Sequence, residues 1–142
     1  MKIAIGADHG GYEYKNNIID LLKNKGYEVK DFGTYSNESC DYPEFAKKVA
    51  ESVANGNFDR GILICGTGIG MSIVANKFKG IRAALCSDTF SAKATREHNN
   101  SNILCMGARV ISFEKAEEIT RIWLETEFSQ EERHIRRINM IE

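Results

Sequence analysis

The sequence predicts an α/β protein: a five-stranded parallel sheet with helices on both faces. Strand-like and helix-like segments alternate along the chain. The strand-like segments are near-continuous apolar runs, as in strands buried on both sides. One of them, Gly61-Ile62-Leu63-Ile64-Cys65, breaks through Gly66, Gly68 and Gly70 directly into a helical segment.

Lys2 to Ala7 reads as the first strand. An amphipathic helix over Tyr12 to Lys25 follows and stops at Gly26, a residue that suits the left-handed position after a helix. Tyr27 to Phe32 is the second strand and Thr34 to Asp41 a polar loop. Pro43, the only proline, marks a first helical turn. That helix carries Phe45, Val49 and Val53 on one face and ends near Asn55-Gly56. The Cys65 run is the third strand, with a helix over Ile69 to Phe78 behind it. Arg82 to Cys86 is the fourth strand, and Ser87-Asp88-Thr89 caps a helix reaching His98. Asn102 to Met106 is the fifth strand, followed by a helix over Phe113 to Thr126. Ser129 and Glu132 have capping-box spacing and open a last helix, at about 130–141. No repeat, linker or low-complexity tract interrupts the pattern, so residues 1–142 are expected to form a single domain.

A formal net charge of -1 gives no global attraction to nucleic acid or to a membrane, so any anion site must be local. The apolar stretch at the N-terminus is far too short for a signal segment and nothing later approaches a span, which points to the cytoplasm. Cys40, Cys65, Cys86 and Cys105 are scattered, with neither Cys-x-x-Cys spacing nor a close histidine, and read as free thiols rather than zinc ligands.

In parallel sheets ligands bind beyond the carboxyl ends of the strands, near the point where strand order reverses. Asp8-His9-Gly10-Gly11 follows the first strand, Cys65-Gly66-Thr67-Gly68 the third and Ser87-Asp88 the fourth, and the next helix ends in His98-Asn99-Asn100. All are expected to line one crevice. Cys65 would sit at a helix mouth, where unpaired N–H groups and the helix dipole favour negative charge on sulfur or on a bound oxygen. Cys86 and Cys105 lie within strands and read as small buried hydrophobes, while Cys40 has no evident partner. Asp8 and His9 have the alternative of a helix cap and an ordinary loop histidine. The glycine turn departs from G-x-G-x-x-G, with Met71 at the third glycine's place, although Asp88 lies 20 residues past Gly68, as a ribose-binding acid might. Arg133 and Arg137 share a helix face and are placed to fork onto one phosphate; Arg136 points elsewhere.

Taken together, Gly6 to Gly11, Asp41-Tyr42-Pro43, Ile64 to Gly70, Ala75-Asn76-Lys77, Gly80 to Ala83, His98-Asn99, Gly107-Ala108-Arg109 and Arg133-His134 resemble the type B ribose-5-phosphate isomerases, in that family's order and over nearly the whole chain. The resemblance implies a Rossmann-like three-layer fold and a metal-independent, cofactor-free aldose–ketose isomerase interconverting ribose 5-phosphate and ribulose 5-phosphate. It further implies a homodimer, or a tetramer made of two such dimers, with sites shared between subunits. Position by position, Cys65 matches the general base, and Thr67 and His98 match the groups that open the sugar ring, with Asp8 beside its oxygens. The amides of Gly66 through Gly70, Gly68 included, match the enediolate's anion hole. His9, Arg109, Arg133 and Arg137 match the phosphate ligands, and Tyr42 and Asn99 the groups on the sugar. In the family His98 and Asn99 reach the site from the neighbouring subunit. A branch with a glutamate base at the position of Met71 lacks the cysteine, which places this chain with the cysteine branch. A hexose 6-phosphate isomerase, a non-catalytic sugar-phosphate or nucleotide sensor, and a thiol redox protein remain as alternatives.

Overall fold

The computed structural model describes residues 1–141; residue 142, the last of the expected domain, lies outside the described residues. Five parallel strands form one sheet: β1 (Lys2–Ala7), β2 (Glu28–Asp31), β3 (Arg60–Cys65), β4 (Ala83–Leu85) and β5 (Ile103–Gly107), in the order β2-β1-β3-β5-β4. Six helices accompany them: α1 (Tyr12–Asn24), α2 (Tyr42–Ala54), α3 (Ile69–Ala75), α4 (Thr89–Asn99), α5 (Phe113–Glu125) and α6 (Glu132–Asn139).

Strand periodicity divides the core into two layers. Ile3, Ile5, Ile62, Ile64, Leu104 and Met106 face α1 and α5, packing with Ile18, Leu22, Ile119 and Trp123. Ala4, Leu63, Cys65, Ile103 and Cys105 face the other way, onto Phe45, Ala46 and Val49 of α2 and Met71 and Ala75 of α3. Every residue of β5 is buried, so its run carries no polar alternation. The helices that leave the adjacent strands β1 and β3, namely α1 and α3, cover opposite faces. A crevice must open between them at the carboxyl ends of these two strands.

The expected elements are present, with shifted ends. β2 excludes Tyr27 and Phe32, and β4 excludes Arg82 and Cys86. Helix α3 ends at Ala75 rather than Phe78, because the Asn76 side chain turns to bond the backbone of Ala83, accepting from its N–H at 2.8 Å and donating to its carbonyl at 3.0 Å. The capping box at Ser129 does not form. Gln130 takes the left-handed conformation, φ +63°, which sets Ser129 in the turn before the helix, and its hydroxyl accepts from the N–H of Glu131 rather than from Glu132. Among the described residues, no helix is long and apolar enough to cross a membrane.

Candidate active site

Cys65 ends β3, and the chain turns at once. Gly68 sits at φ +78°, and a Cβ there would come within 2.6 Å of Leu85 Cδ1 and 2.8 Å of the Met106 carbonyl carbon, so only glycine fits. The turn folds back on the thiol: the Gly68 N–H donates to Cys65 Sγ at 3.1 Å and the Ile69 N–H to Thr67 Oγ1 at 3.2 Å. The N–H groups of Gly66, Thr67, Gly70 and Met71 have no acceptor among the described residues. Those of Gly70 and Met71 are the unpaired donors that a helix start leaves over, and those of Gly66 and Thr67 belong to the turn before it.

Cys65 is only 5% exposed, yet it borders an open hollow of about 410 Å³ with Asp8, Tyr42, Gly66, Thr67, Ile69, Gly70, Ile73 and Arg109. Each arrives for a local reason. Asp8 follows β1, its backbone N–H bonding Ile64 at 3.3 Å, and its carboxylate accepts the Gly10 N–H at 2.8 Å. Tyr42 opens α2 and lays its ring against Gly70, whose missing side chain leaves the space. Arg109 follows β5, donates its N–H to the Gly66 carbonyl at 2.9 Å and rests its guanidinium against Gly66. Ile69 and Ile73, both more than half exposed or nearly so, were not singled out from sequence; their i, i+4 spacing reads equally well as helix core.

A second hollow of about 340 Å³ shares Arg109 and adds His9, Glu13, Tyr14 and Asn37. Here Cys40 finds a partner after all. Its N–H donates to His9 Nδ1 at 3.2 Å and its sulfur lies 3.9 Å from the same nitrogen, which leaves the proton of a neutral ring on Nε2.

The other thiols are structural. Burial pushes Cys86 up to about 12, with the Asp88 charge adding, and raises Cys105, with Cys65 and Cys86 adding. Asp88 caps α4 by accepting the Ser91 N–H at 2.6 Å, which holds its carboxyl below the usual range. It stands after edge strand β4, separated from β3 by β5, and not beside the glycine turn's strand as a ribose-binding acid would be.

His98, Asn99, Arg133 and Arg137 do not join this hollow within the chain, contrary to the expectation of one crevice. The reason is topological. Helix α4 leaves the carboxyl end of β4 and returns to start β5, so it runs against the strands and ends at their opposite edge. Arg82, just before β4, donates from Nε to the Asn99 carbonyl at 2.9 Å and fixes that end there. Cys65 pairs with Gly107 at the far end of β5, about 13 Å of strand away from Ile103. Asn99 instead lines a hollow of about 480 Å³ with Arg82, Leu85, Thr95 and Ile141. Helix α6 packs on α4 and takes the arginines with it: Arg133 pairs with Glu131 at 2.9 Å and Arg136 with Glu132 at 2.9 Å. The ring of exposed His98 stacks on that of buried His134, centroids 4.5 Å apart and planes 20° from parallel.

A thiol, a carboxylate and unpaired amides meeting at the switch point of a parallel sheet define the class: an α/β protein built to move a proton beside developing negative charge. Residues 3–141 match the family model described as Ribose/Galactose Isomerase, and the chain belongs to that family. It is 58% identical to the putative sugar phosphate isomerase YwlF of Bacillus subtilis, covering 99% of this chain and 95% of that protein. It is 49% identical to ribose-5-phosphate isomerase B of Escherichia coli, covering 99% and 93%. The solved ribose-5-phosphate isomerase B of Clostridium thermocellum superposes with a TM-score of 0.97 at 55% identity, covering 99% of this chain and 95% of that one.

Proposed function

We propose that the protein interconverts D-ribose 5-phosphate and D-ribulose 5-phosphate through a cis-enediolate, with Cys65 as the base. The observation that carries this reading is the Cys65 sulfur opening onto a hollow rimmed by amides without acceptors. In the open-chain aldose the C1 carbonyl acidifies the C2 proton. The sulfur takes that proton, the electron pair forms the C1–C2 double bond, and charge collects on O1. The O2 hydroxyl proton passes to O1, the electron pair on O2 forms the C2–O2 double bond, and return of the proton from sulfur to C1 gives the ketose and restores the thiolate. Fixed N–H donors of Gly66, Thr67 and Gly70 stabilise the charged O1 more in the transition state than in the ground state, and one such donor is worth about 3 kcal/mol, whereas the N–H of Gly68, expected among them, is held by the Cys65 sulfur and that of Ile69 by Thr67.

The phosphate does not react, and its binding energy holds C2 against the sulfur. His9 and Arg109 supply it from one chain; Arg133 and Arg137 supply it from a second. His98 moves a proton between the anomeric hydroxyl and the ring oxygen, with Thr67 and Asp8 at the same oxygens, while Tyr42 and Asn99 orient the sugar. A homodimer, alone or paired into a tetramer, brings His98 and Asn99 of one chain to Cys65 of the other. Exposed Ile69 and Ile73 at the hollow, with Leu85 and Phe90 on the next elements, support a covering partner of the same kind. We place this chemistry in the cytoplasm, with no metal or cofactor in the reaction.

Replacing Cys65 by alanine is expected to lower solvent deuterium exchange at the reacting carbons by about 10²- to 10⁴-fold while sugar-phosphate binding persists. Substantial remaining exchange would remove the sulfur from the mechanism. Parallel assays on ribose, allose and galactose phosphates decide between pentose and hexose, and binding without exchange would favour a sensor.

A further inference from the structure

We propose that His134 is a positioning residue for His98: the buried imidazole backs the exposed one and holds its plane for work on the sugar ring. The inference rests on the ring-opening role proposed for His98 and deepens it.

Helix α6 is polar and exposed along almost its whole length, and His134 is its one buried side chain, 6% exposed. A leucine at that position would dock the helix without desolvating a ring nitrogen, but it would offer no flat face to a neighbouring ring. The histidine is not retained for a hydrogen bond either. Its Nε2 is buried without a hydrogen-bond partner among the described residues; Glu131 Oε2 lies 3.3 Å away, within ion-pair reach, but is not aligned to accept. A buried polar atom left unsatisfied in this way calls for a role other than stability. What the ring does touch is His98, face to face at 4.5 Å. That leaves the outer face and edge of His98 for a ligand.

The end of α4 that carries His98 is itself fixed. Arg96 donates from Nε to the Thr126 carbonyl at 3.0 Å and from Nη1 to the Ser101 carbonyl at 2.6 Å, and the Ser129 N–H donates to the Glu97 carbonyl at 3.3 Å. With both helix ends tied, the stack removes the remaining freedom, rotation of the His98 ring. The charged groups around His134 reinforce this division of labour. Burial, then His98, Arg133 and Arg137 disfavour a proton on His134, and only Glu131 favours one. Of the two rings, His98 is the exposed one.

Ribose 5-phosphate closes through O4, whereas ribulose 5-phosphate, with O5 esterified, stays open and needs no ring opening. Turnover of the aldose therefore reads ring opening plus enolisation, and solvent deuterium exchange into the ketose reads enolisation alone. His134→Ala is expected to lower kcat on ribose 5-phosphate by about ten- to a hundredfold, the cost of a misplaced catalytic group. KM and ketose exchange should stay at wild-type values. His134→Phe keeps a flat ring and should recover most of kcat. Equal loss of both reactions in His134→Ala, unchanged aldose turnover, or failure of a folded His134→Phe to recover kcat would overturn the inference. His98→Asn, measured alongside, separates the two levels. A selective aldose defect there without one in His134→Ala sinks only the positioning role, whereas equal losses in His98→Asn sink the ring-opening reading beneath it.

Discussion

Cys65, Cys86 and Cys105 are one residue type with three fates, and the difference lies in what adjoins each sulfur. Cys105 is sealed between α2 and α3 and Cys86 is packed against the α5 face, whereas the turn after Cys65 holds its sulfur with an N–H and leaves a hollow before it. The turn depends on Gly68. Gly68→Ala forces a Cβ into Leu85 and the Met106 backbone at a positive φ, and should cost about 1–3 kcal/mol of stability with loss of exchange activity, checked by urea unfolding. His134 contributes at the same scale through pH. Its pKa is lowered in the folded chain, by burial first, so the folded state binds fewer protons there than the unfolded state. Its contribution is therefore intact at neutral pH and is lost as pH falls below the ordinary histidine value of about 6.5. The melting temperature should drop less steeply on acidification in His134→Phe than in the parent, as calorimetry across pH 7 to 5 would show.

At the scale of elements, α5 begins at Ser112, whose hydroxyl accepts the Lys115 N–H at 3.1 Å. Ser112→Ala should cost about 1 kcal/mol, measured by chemical denaturation, without touching activity. Helix α1 is joined to β2 by Lys15, fully buried, whose ammonium meets Asp31 at 2.6 Å. Asp31→Asn leaves that ammonium uncompensated and should cost about 2 kcal/mol, discounted because Asp31 is about a third exposed. Lys15→Met, which removes the buried charge and leaves the partly solvated Asp31 carboxylate, should cost less than Asp31→Asn. Elements with local signals were the legible ones: Gly26 ended α1, Pro43 opened α2, and the Cys65 run with its glycines set β3, the turn and the start of α3. Signals that depend on a distant partner misled. Asn76 turns out of α3 because Ala83 is there to meet it, and Cys40 has His9 as its partner across 31 residues. The Ser129 cap failed for a local reason, the left-handed Gln130, which spacing alone does not reveal.

Strand order is a property of the whole molecule, and no local spacing reports it. Reading Asp8, Cys65 and Thr67 as neighbours needed only the rule that ligands sit beyond strand carboxyl ends, and they do line one hollow, together with Tyr42, which only the family resemblance had supplied. Placing His98 there failed because a helix that follows a strand returns to the other edge of the sheet. The two-fold partner of the proposed homodimer would resolve the conflict, since one chain would then present its Cys65 end to the His98 end of the other, and the reverse, in the same interface. Two inactive variants should therefore rescue each other. In a mixed dimer of Cys65→Ala and His98→Asn chains, one site joins two damaged residues and the other joins intact Cys65 to intact His98. After dissociation and random reassociation in equal amounts, half the dimers are mixed and each carries one whole site, so about a quarter of the parent's ribose 5-phosphate turnover should return. If each site were complete within its own chain, mixing would restore nothing above the two variants' own residual rates.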